Sequence, residues 1–220
     1  RIANRYDLLN KLISFGLDRS WSQKLLNNLG KITAGESVLD VATGTGDVAI
    51  AIAKAFKGSQ VTGLDPSVGM LEVGKQKVVQ KNLQTQVELI AGDAQAMPFE
   101  SNVFAASCIS FGIRNVPDRV KGLSEMARVT KPGGKVVVLE LSEPTGGILT
   151  PFAKLHIHWV IPILGTLLSS SKEYWYLQKS IQAFPPAKEF AEVMESAGLK
   201  DIRVNRLTLG TAHLYVGTVA

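Results

Sequence analysis

The chain has 220 residues, of which 45% are hydrophobic, and a formal net charge of +5. This length and apolar content predict one domain with a core of its own. Its single cysteine, Cys108, excludes an internal disulfide and fits a reducing compartment. The basic residues are scattered, without an Arg-rich tract or interleaved aromatics, which argues against a nucleic-acid-binding face and leaves a membrane surface or a merely solvated basic surface.

The first 30 residues predict a helical segment of two helices joined by a turn. Asp18 is the expected N-cap of the second helix, and Gly30 stands where that helix ends. Apolar residues recur on one face of it at Trp21, Leu25, Leu26 and Leu29.

Apolar runs then alternate with helical patterns from residue 37 to residue 141. Helices are expected after the glycine turn to about Phe56, from Ser67 to about Gln80, and from about Asp118 to Val129. Strands are expected at Ser37–Val41, Gln60–Leu64, Val87–Ala91, Phe104–Ser110 and Lys135–Leu141, the last after a tight turn at Pro132-Gly133-Gly134. The alternation predicts an α/β fold with a doubly wound, mostly parallel sheet.

The alternation stops between residues 143 and 182, which we predict to be a helical cap inserted in the same domain. It resumes with a helix at Pro186–Ala197 and strands at Ile202–Leu209 and Ala212–Val219. Only Gly210-Thr211 separates these last two strands, which suits a hairpin and not a crossover. The final strand is therefore expected to be antiparallel, in a sheet of seven strands.

The stretch SVLDVATGTGDVAIA, residues 37–51, predicts a nucleotide-binding turn between a strand and a helix. Gly44 and Gly46 match the first two glycines of a dinucleotide fingerprint, and Ala49 stands at the third. Asp65 ends the next strand, where an acid can bind ribose hydroxyls. This pattern suits NAD or another cofactor that contains adenosine.

Three further features discriminate between these cofactors. Asp40 and Asp47 flank the glycine turn, where they would repel a pyrophosphate but attract an amine and a sulfonium. Asp93 ends the third strand, where it suits an adenine amino group. Together with the antiparallel last strand, these features resemble a Rossmann-like class I S-adenosylmethionine-dependent methyltransferase.

That resemblance assigns a role to each acid. It implies that Asp40 helps to organise the amino-acid end of S-adenosylmethionine, that Asp65 binds the ribose and that Asp93 recognises the adenine. The cofactor-binding residues that it implies are Asp40, Thr43, Gly44, Thr45, Gly46, Asp47, Asp65, Pro66, Ser67, Met70, Asp93, Ala94 and Ser110.

Longer segments resemble the ubiquinone/menaquinone biosynthesis C-methyltransferases over essentially the whole chain. They are RYDLLNKLISFGLDRSW from Arg5, ISFGIRNVPD from Ile109, RVTKPGGKVVVLELSEP from Arg128 and, more loosely, EYWYLQKSI from Glu173. Three positions depart from the family pattern: Asp18 stands where histidine is frequent, Thr43 where glycine is common and Thr130 where leucine is usual. None of them removes the expected methyl-donor site, and we interpret Asp18 as a helix cap.

The resemblance implies methyl transfer to a ring carbon of a reduced, prenylated quinone precursor. Arg114 and Asn115 follow the fourth strand and are the expected catalytic residues: Arg114 would hold a phenolate or orient a water, and Asn115 would bond a ring oxygen. The other interpretation of Arg114 is a surface ion pair with Asp118. Tyr6 is a third candidate, because the N-terminal segment covers the cofactor pocket in this family; the other interpretation of Tyr6 is packing.

The cap carries an apolar stretch, Ile157–Leu168, that is too short to span a bilayer. It suits either a helix pair packed on the sheet or a channel for a prenyl tail that docks at a membrane. His156 and His158 lack carboxylates at ligand spacing, so no metal site is predicted.

The expected acceptor is a demethylmenaquinol, with a benzoquinol of the ubiquinone pathway left open. The alternatives are a methyltransferase for another small lipophilic acceptor and a non-catalytic member of a quinone biosynthesis complex. We expect a cytoplasmic protein, at the inner face of the membrane if it associates peripherally, and leave a homodimer open.

Overall fold

The computed structural model describes residues 18–143 and 171–220. Its sheet contains seven strands: β1 Ser37–Val41, β2 Gln60–Asp65, β3 Val87–Ala91, β4 Phe104–Ser110, β5 Thr130–Leu141, β6 Leu199–Leu207 and β7 Ala212–Val219. The helices in these ranges are α1 Asp18–Asn28, α2 Asp47–Ala55, α3 Val68–Gln80, α4 Arg119–Val129, α5 Ser171–Gln182 and α6 Ala187–Ser196. In the same described ranges, a short 3₁₀ turn lies at Ile113–Asn115 and a turn with left-handed backbone lies at Thr208–Gly210.

The strand order, β3-β2-β1-β4-β5-β7-β6, contains a reversal between β1 and β4. The chain first moves outward from β1 to β3 and then returns to add β4 on the other side of β1. In open α/β sheets, a crevice forms outside the carboxyl ends of the strands at such a switch point. The topology therefore predicts the ligand site beyond the ends of β1 and β4.

The predicted antiparallel last strand is confirmed, because β7 runs antiparallel to both β5 and β6. The predicted two-residue turn is wrong: pairing ends at Leu207 opposite Ala212, so residues 208–211 form the connection. Thr208 and Leu209 have positive φ angles of 39° and 57° there. A two-residue hairpin turn also contains residues with positive φ, so these angles fit either loop length. The pairing register is what shows that the connection has four residues and not two.

Each face of the sheet is covered by helices. Alternate residues of a strand point to opposite faces, so Val38 and Leu39 of β1 belong to different apolar clusters. The first cluster contains residues of α1, α2 and α3, and the second contains residues of α4 and α6. Trp21, Leu25 and Leu26 of α1 and Leu29, which directly follows it, are all buried, as the amphipathic pattern predicts.

The strand β5 begins at Thr130, earlier than the predicted Lys135, because the predicted turn is a bulge inside it. Thr130 pairs with Phe104, and the next pair is Lys135 with Ala106. The intervening residues fit because Gly133 adopts a φ of +78° and a Cβ on Gly134 would lie 2.6 Å from the Ala105 carbonyl oxygen. Glycine therefore permits the bulge where we expected a turn.

Several predictions fall on residues 1–17 and 144–170, which lie outside the described residues. They include Tyr6, the first N-terminal helix, both cap histidines and the apolar stretch Ile157–Leu168. Of the predicted cap, Ser171–Gln182 is described and is helical. In the described ranges, no helix combines the length and the apolar character needed to cross a bilayer.

Candidate functional site

A cavity of about 430 Å³ lies at the predicted crevice, outside the carboxyl ends of β1, β2, β3 and β4. This volume is in the usual range for small-molecule sites. The predicted residues that line it are Asp40, Thr43, Gly44, Thr45, Asp47, Asp65, Pro66, Met70, Asp93, Ala94, Ser110 and Asn115. Residues that were not predicted also line it, among them Ser22 of α1, Phe111, Val116 and Pro117.

The glycine turn joins β1 to α2 through left-handed backbone. Gly44 and Gly46 have φ angles of 56° and 77°, and the Gly46 N–H donates to the Thr43 carbonyl at 2.9 Å. Gly46 is the N-cap residue of α2 and does not itself line the cavity. The turn thus aims the N-terminus of α2 at the cavity, which is a general feature of nucleotide sites.

Asp40 is a buried carboxyl at the base of the cavity. Its side chain accepts a hydrogen bond from Thr43 Oγ1 at 2.6 Å and a weak one from Cys108 Sγ at 3.6 Å. Burial raises the pKa of Asp40 to about 7, although both hydrogen bonds oppose the rise. A cation bound beside it would favour the ionised form, so Asp40 suits a cationic ligand.

Asp65 ties the glycine turn to the next loop. One of its carboxylate oxygens accepts from the Gly44 N–H at 2.9 Å, and the other accepts from the Ser67 N–H at 2.8 Å. Each carboxylate oxygen has more than one lone pair, so both can still accept from a ligand. The geometry therefore suits a pair of ribose hydroxyls.

Asp93 also lines the cavity and is held by Gln95. Its Oδ1 accepts from the Gln95 backbone N–H at 2.9 Å, and the Gln95 amide donates to both oxygens at 3.2 Å. These hydrogen bonds, the backbone one first, lower the pKa of Asp93. An ionised acceptor in a fixed position suits the amino group of an adenine.

Asp47 lies at the rim of the cavity and is paired with Lys77 of α3. The Lys77 Nζ lies 2.9 Å and 3.0 Å from the Asp47 oxygens and 2.7 Å from Thr45 Oγ1. Sequence reasoning missed Lys77, because 30 residues separate the partners and no local pattern joins them. The positive charge of Lys77 offsets part of the negative charge that Asp47 brings to the cavity.

Arg114 is buried below the turn Ile113–Asn115, and its interpretation as a surface ion pair is wrong. Its Nη1 lies 2.5 Å from Glu140 Oε1 of β5 and donates to the Phe111 carbonyl at 2.7 Å. The two side chains are 1% and 0% exposed. Asp118 instead caps α4 by accepting from the Lys121 N–H at 2.9 Å.

Glu140 was missed, although the sequence carries a signal for it. It is a charged residue inside the nearly continuous apolar run of β5, and its side chain is fully buried. A buried carboxylate needs a partner. Arg114, a cationic residue shortly after the end of β4, is the partner that a buried Glu140 predicts.

Asn115 is the predicted acceptor residue that faces the cavity. Its Oδ1 accepts a hydrogen bond from the Tyr176 hydroxyl of α5 at 3.1 Å. Phe111, Val116 and Pro117 line the cavity beside it. An amide next to apolar walls suits a planar, mostly apolar ring that carries an oxygen.

A family model supplies the broadest comparison with known proteins. The model described as the ubiE/COQ5 methyltransferase family matches residues 1–219. The chain is 44% identical over 218 residues to a ubiquinone/menaquinone biosynthesis C-methyltransferase UbiE of Geobacter sp., covering 99% of this chain and 92% of that protein. It is 42% identical over 219 residues to a demethylmenaquinone methyltransferase of Bacillus cereus, with the same coverage of each chain.

Solved structures with little sequence identity share the fold. A S-adenosylmethionine-dependent methyltransferase from Aquifex aeolicus matches with a TM-score of 0.66 at 18% identity, over 90% of this chain and 89% of that one. Phosphoethanolamine N-methyltransferase 2 of Haemonchus contortus, in complex with S-adenosylmethionine, matches with a TM-score of 0.68 at 20% identity, over 90% of this chain and 51% of that one. The predicted class I methyltransferase fold is thereby confirmed.

Proposed function

The chain belongs to the ubiE/COQ5 methyltransferase family, and on that premise we propose that it methylates a ring carbon of a reduced, prenylated quinone precursor. The observation that carries the proposal is one cavity in which three acids, Asp40, Asp65 and Asp93, lie together with the amide of Asn115. The acids suit the methyl donor, and the amide with its apolar neighbours suits the acceptor ring.

S-adenosylmethionine fits the acids of the cavity. Asp40 is buried, with its pKa raised to about 7, and the amino group or sulfonium of this cofactor would compensate its charge. We assign the ribose to Asp65 and the adenine to Asp93. The bound cofactor supplies a methyl group on positively charged sulfur.

The residues of the turn after β4 would act on the acceptor. A hydroquinone becomes a carbon nucleophile when one hydroxyl loses its proton, and Asn115 can donate to the resulting phenolate oxygen. Arg114 does not line the cavity; it would act by holding the turn, because its guanidinium is paired with Glu140. In the overall reaction the ring carbon bonds to the methyl carbon, the sulfur keeps the electron pair of the broken bond, and the ring carbon loses its proton.

Tyr6 remains a proposed catalytic residue. The hydroxyl of a tyrosine can donate to or accept from a ring oxygen. A Tyr6→Phe variant that keeps its affinity for S-adenosylmethionine but loses methyl transfer would support this role. Unchanged transfer would contradict it.

A demethylmenaquinol is the acceptor that we propose first. The Bacillus cereus relative is named a demethylmenaquinone methyltransferase, and the Geobacter relative is named for both quinones. A prenylated ring is lipophilic, so we also propose that the protein meets it at a membrane surface, aided by the net charge of +5. Sedimentation with anionic vesicles tests this association, and analytical ultracentrifugation tests the homodimer.

The test of the function compares two reduced acceptors under anaerobic conditions. Purified protein and labelled S-adenosylmethionine are incubated with a demethylated naphthoquinol and with a benzoquinol of the ubiquinone pathway, both with short prenyl tails. We expect label in the naphthoquinol, and label in both would mean a dual-pathway enzyme. Label in neither, with cofactor still bound, would favour another lipophilic acceptor or a non-catalytic protein.

The matched controls separate acceptor binding from cofactor binding. Asn115→Ala should lower transfer while the affinity for S-adenosylmethionine is kept. Asp65→Ala should weaken cofactor binding itself. A loss of cofactor affinity in Asn115→Ala would contradict the assignment of this residue to the acceptor.

A further inference from the structure

Tyr176 of α5 contacts Asn115, the residue that we assign to the quinol acceptor. Its hydroxyl donates to Asn115 Oδ1 at 3.1 Å, across 61 residues of sequence. The tyrosine is 63% exposed, so its ring buries little surface there. Its contribution therefore lies in this hydrogen bond more than in packing.

The backbone that carries Asn115 is held independently of Tyr176. From below, Glu140 accepts hydrogen bonds from the Arg114 backbone N–H at 3.2 Å and from its guanidinium at 2.5 Å. After the turn, the Asp118 N–H donates to Gln95 Oε1 at 3.1 Å, and Gln95 also holds Asp93. With the backbone fixed, the remaining freedom of Asn115 is the rotation of its own side chain.

An asparagine side chain presents one accepting oxygen and two donating N–H groups. A free amide can turn either end toward a ligand. Tyr176 does not line the cavity whereas Asn115 does, so the oxygen that the Tyr176 hydroxyl binds is turned away from the cavity and the amide nitrogen is the end left to face it. This end donates to an anionic oxygen, whereas the oxygen end would accept from a hydroxyl that is still protonated.

We propose that Tyr176 is a positioning residue for methyl transfer: it fixes the Asn115 amide so that its N–H groups face the acceptor oxygen and select the phenolate. This inference rests on the proposed function. It adds a residue from α5 to the acceptor site and assigns it to the orientation of one side chain.

A double-mutant cycle tests the proposal, with Tyr176→Phe, Asn115→Ala and the double variant. We measure kcat and KM for the short-tailed demethylated naphthoquinol, its binding constant in the presence of S-adenosylhomocysteine, and the binding constant of S-adenosylmethionine. Lys179→Ala, an exposed change on the same helix, is the control. Tyr176→Phe should fold as the unaltered protein does, because the tyrosine is largely exposed.

We expect Tyr176→Phe to lower kcat/KM by about fivefold to tenfold, the effect of one neutral hydrogen bond. In the Asn115→Ala background the same change should have an effect of less than about twofold, and S-adenosylmethionine should bind equally well throughout. If the two effects instead multiply, Tyr176 acts independently of Asn115 and the proposal is overturned.

The binding constants separate this proposal from the proposed function. If the unaltered protein binds the naphthoquinol but does not methylate it, the proposed function fails, and the cycle in binding constants still decides the role of Tyr176. Coupling between the two residues would then support the orientation of Asn115. If the unaltered protein does not bind the naphthoquinol, both proposals are overturned.

Discussion

Burial raises the pKa of Asp40 to about 7 from 3.8, which puts its ionisation within the range of cofactor assays. Because the folded pKa is raised, its stabilising contribution is full below pH 3.8 and is lost as the pH rises through 7. A bound cation reverses the preference, so binding of S-adenosylmethionine should release a proton below pH 7. We expect its affinity to rise up to about tenfold per pH unit between roughly pH 5 and 7.

Calorimetric titration across this range measures the slope, with Asp40→Asn as the test variant. The neutral amide should bind the cofactor more weakly and with little dependence on pH. Asp47→Asn is the control, since Asp47 is exposed at the rim and paired with Lys77, and it should keep the slope. An unchanged slope in Asp40→Asn would contradict the assignment of this carboxyl to the cationic end of the cofactor.

A second prediction concerns the buried ion pair of Arg114 and Glu140. Both side chains are almost fully buried, so Glu140→Met leaves a buried guanidinium without its carboxylate. This should lower the free energy of unfolding in urea by about 3–5 kcal/mol. Adding Arg114→Met should recover most of the loss, and a loss below about 1 kcal/mol in the single variant would show that water reaches the guanidinium.

The helix α3 packs against the glycine turn through Gly74. A Cβ at this position would lie 2.6 Å from Leu89 Cδ1 and 3.0 Å from the Thr45 backbone carbon. Gly74→Ala should therefore move the helix from the turn, destabilise the protein by about 1–3 kcal/mol and weaken cofactor binding.

Gly69 of the same helix provides the matched control. A Cβ there has no neighbour within 4 Å, so Gly69→Ala should stabilise the protein by about 0.5–1 kcal/mol through helix propensity. Urea denaturation and calorimetry of both variants make the comparison. If both have the same effect, contact with the turn does not explain the glycine at position 74.

The sequence predicted most of the elements because their patterns are local. The bounds of β1, β3 and β4 agree with prediction, since a buried strand is a short apolar run with clear ends. The bulge in β5 could not be predicted, because it depends on the register between β5 and β4. The same holds for the site: strand-end acids are visible in the sequence, whereas the contact of Tyr176 with Asn115 joins elements 61 residues apart.

Because the strand order reverses between β1 and β4, the cavity lies where several strands and loops of the whole fold meet. A ligand bound there joins parts that are distant in sequence, so it should stabilise the fold. At a free concentration one hundred times its Kd, S-adenosylmethionine should add about 2.7 kcal/mol and raise Tm by about 5–10 °C. NAD should not do so, and an equal shift with NAD would contradict the assignment of the cofactor.

The position of the transferred methyl group tests the proposed function most directly. The protein is incubated anaerobically with the demethylated naphthoquinol and S-adenosylmethionine that carries carbon-13 in its methyl group, and the product is examined by NMR. We expect a labelled methyl group on a ring carbon. A labelled methoxy group, or an unlabelled quinol in the presence of bound cofactor, would contradict the proposed function.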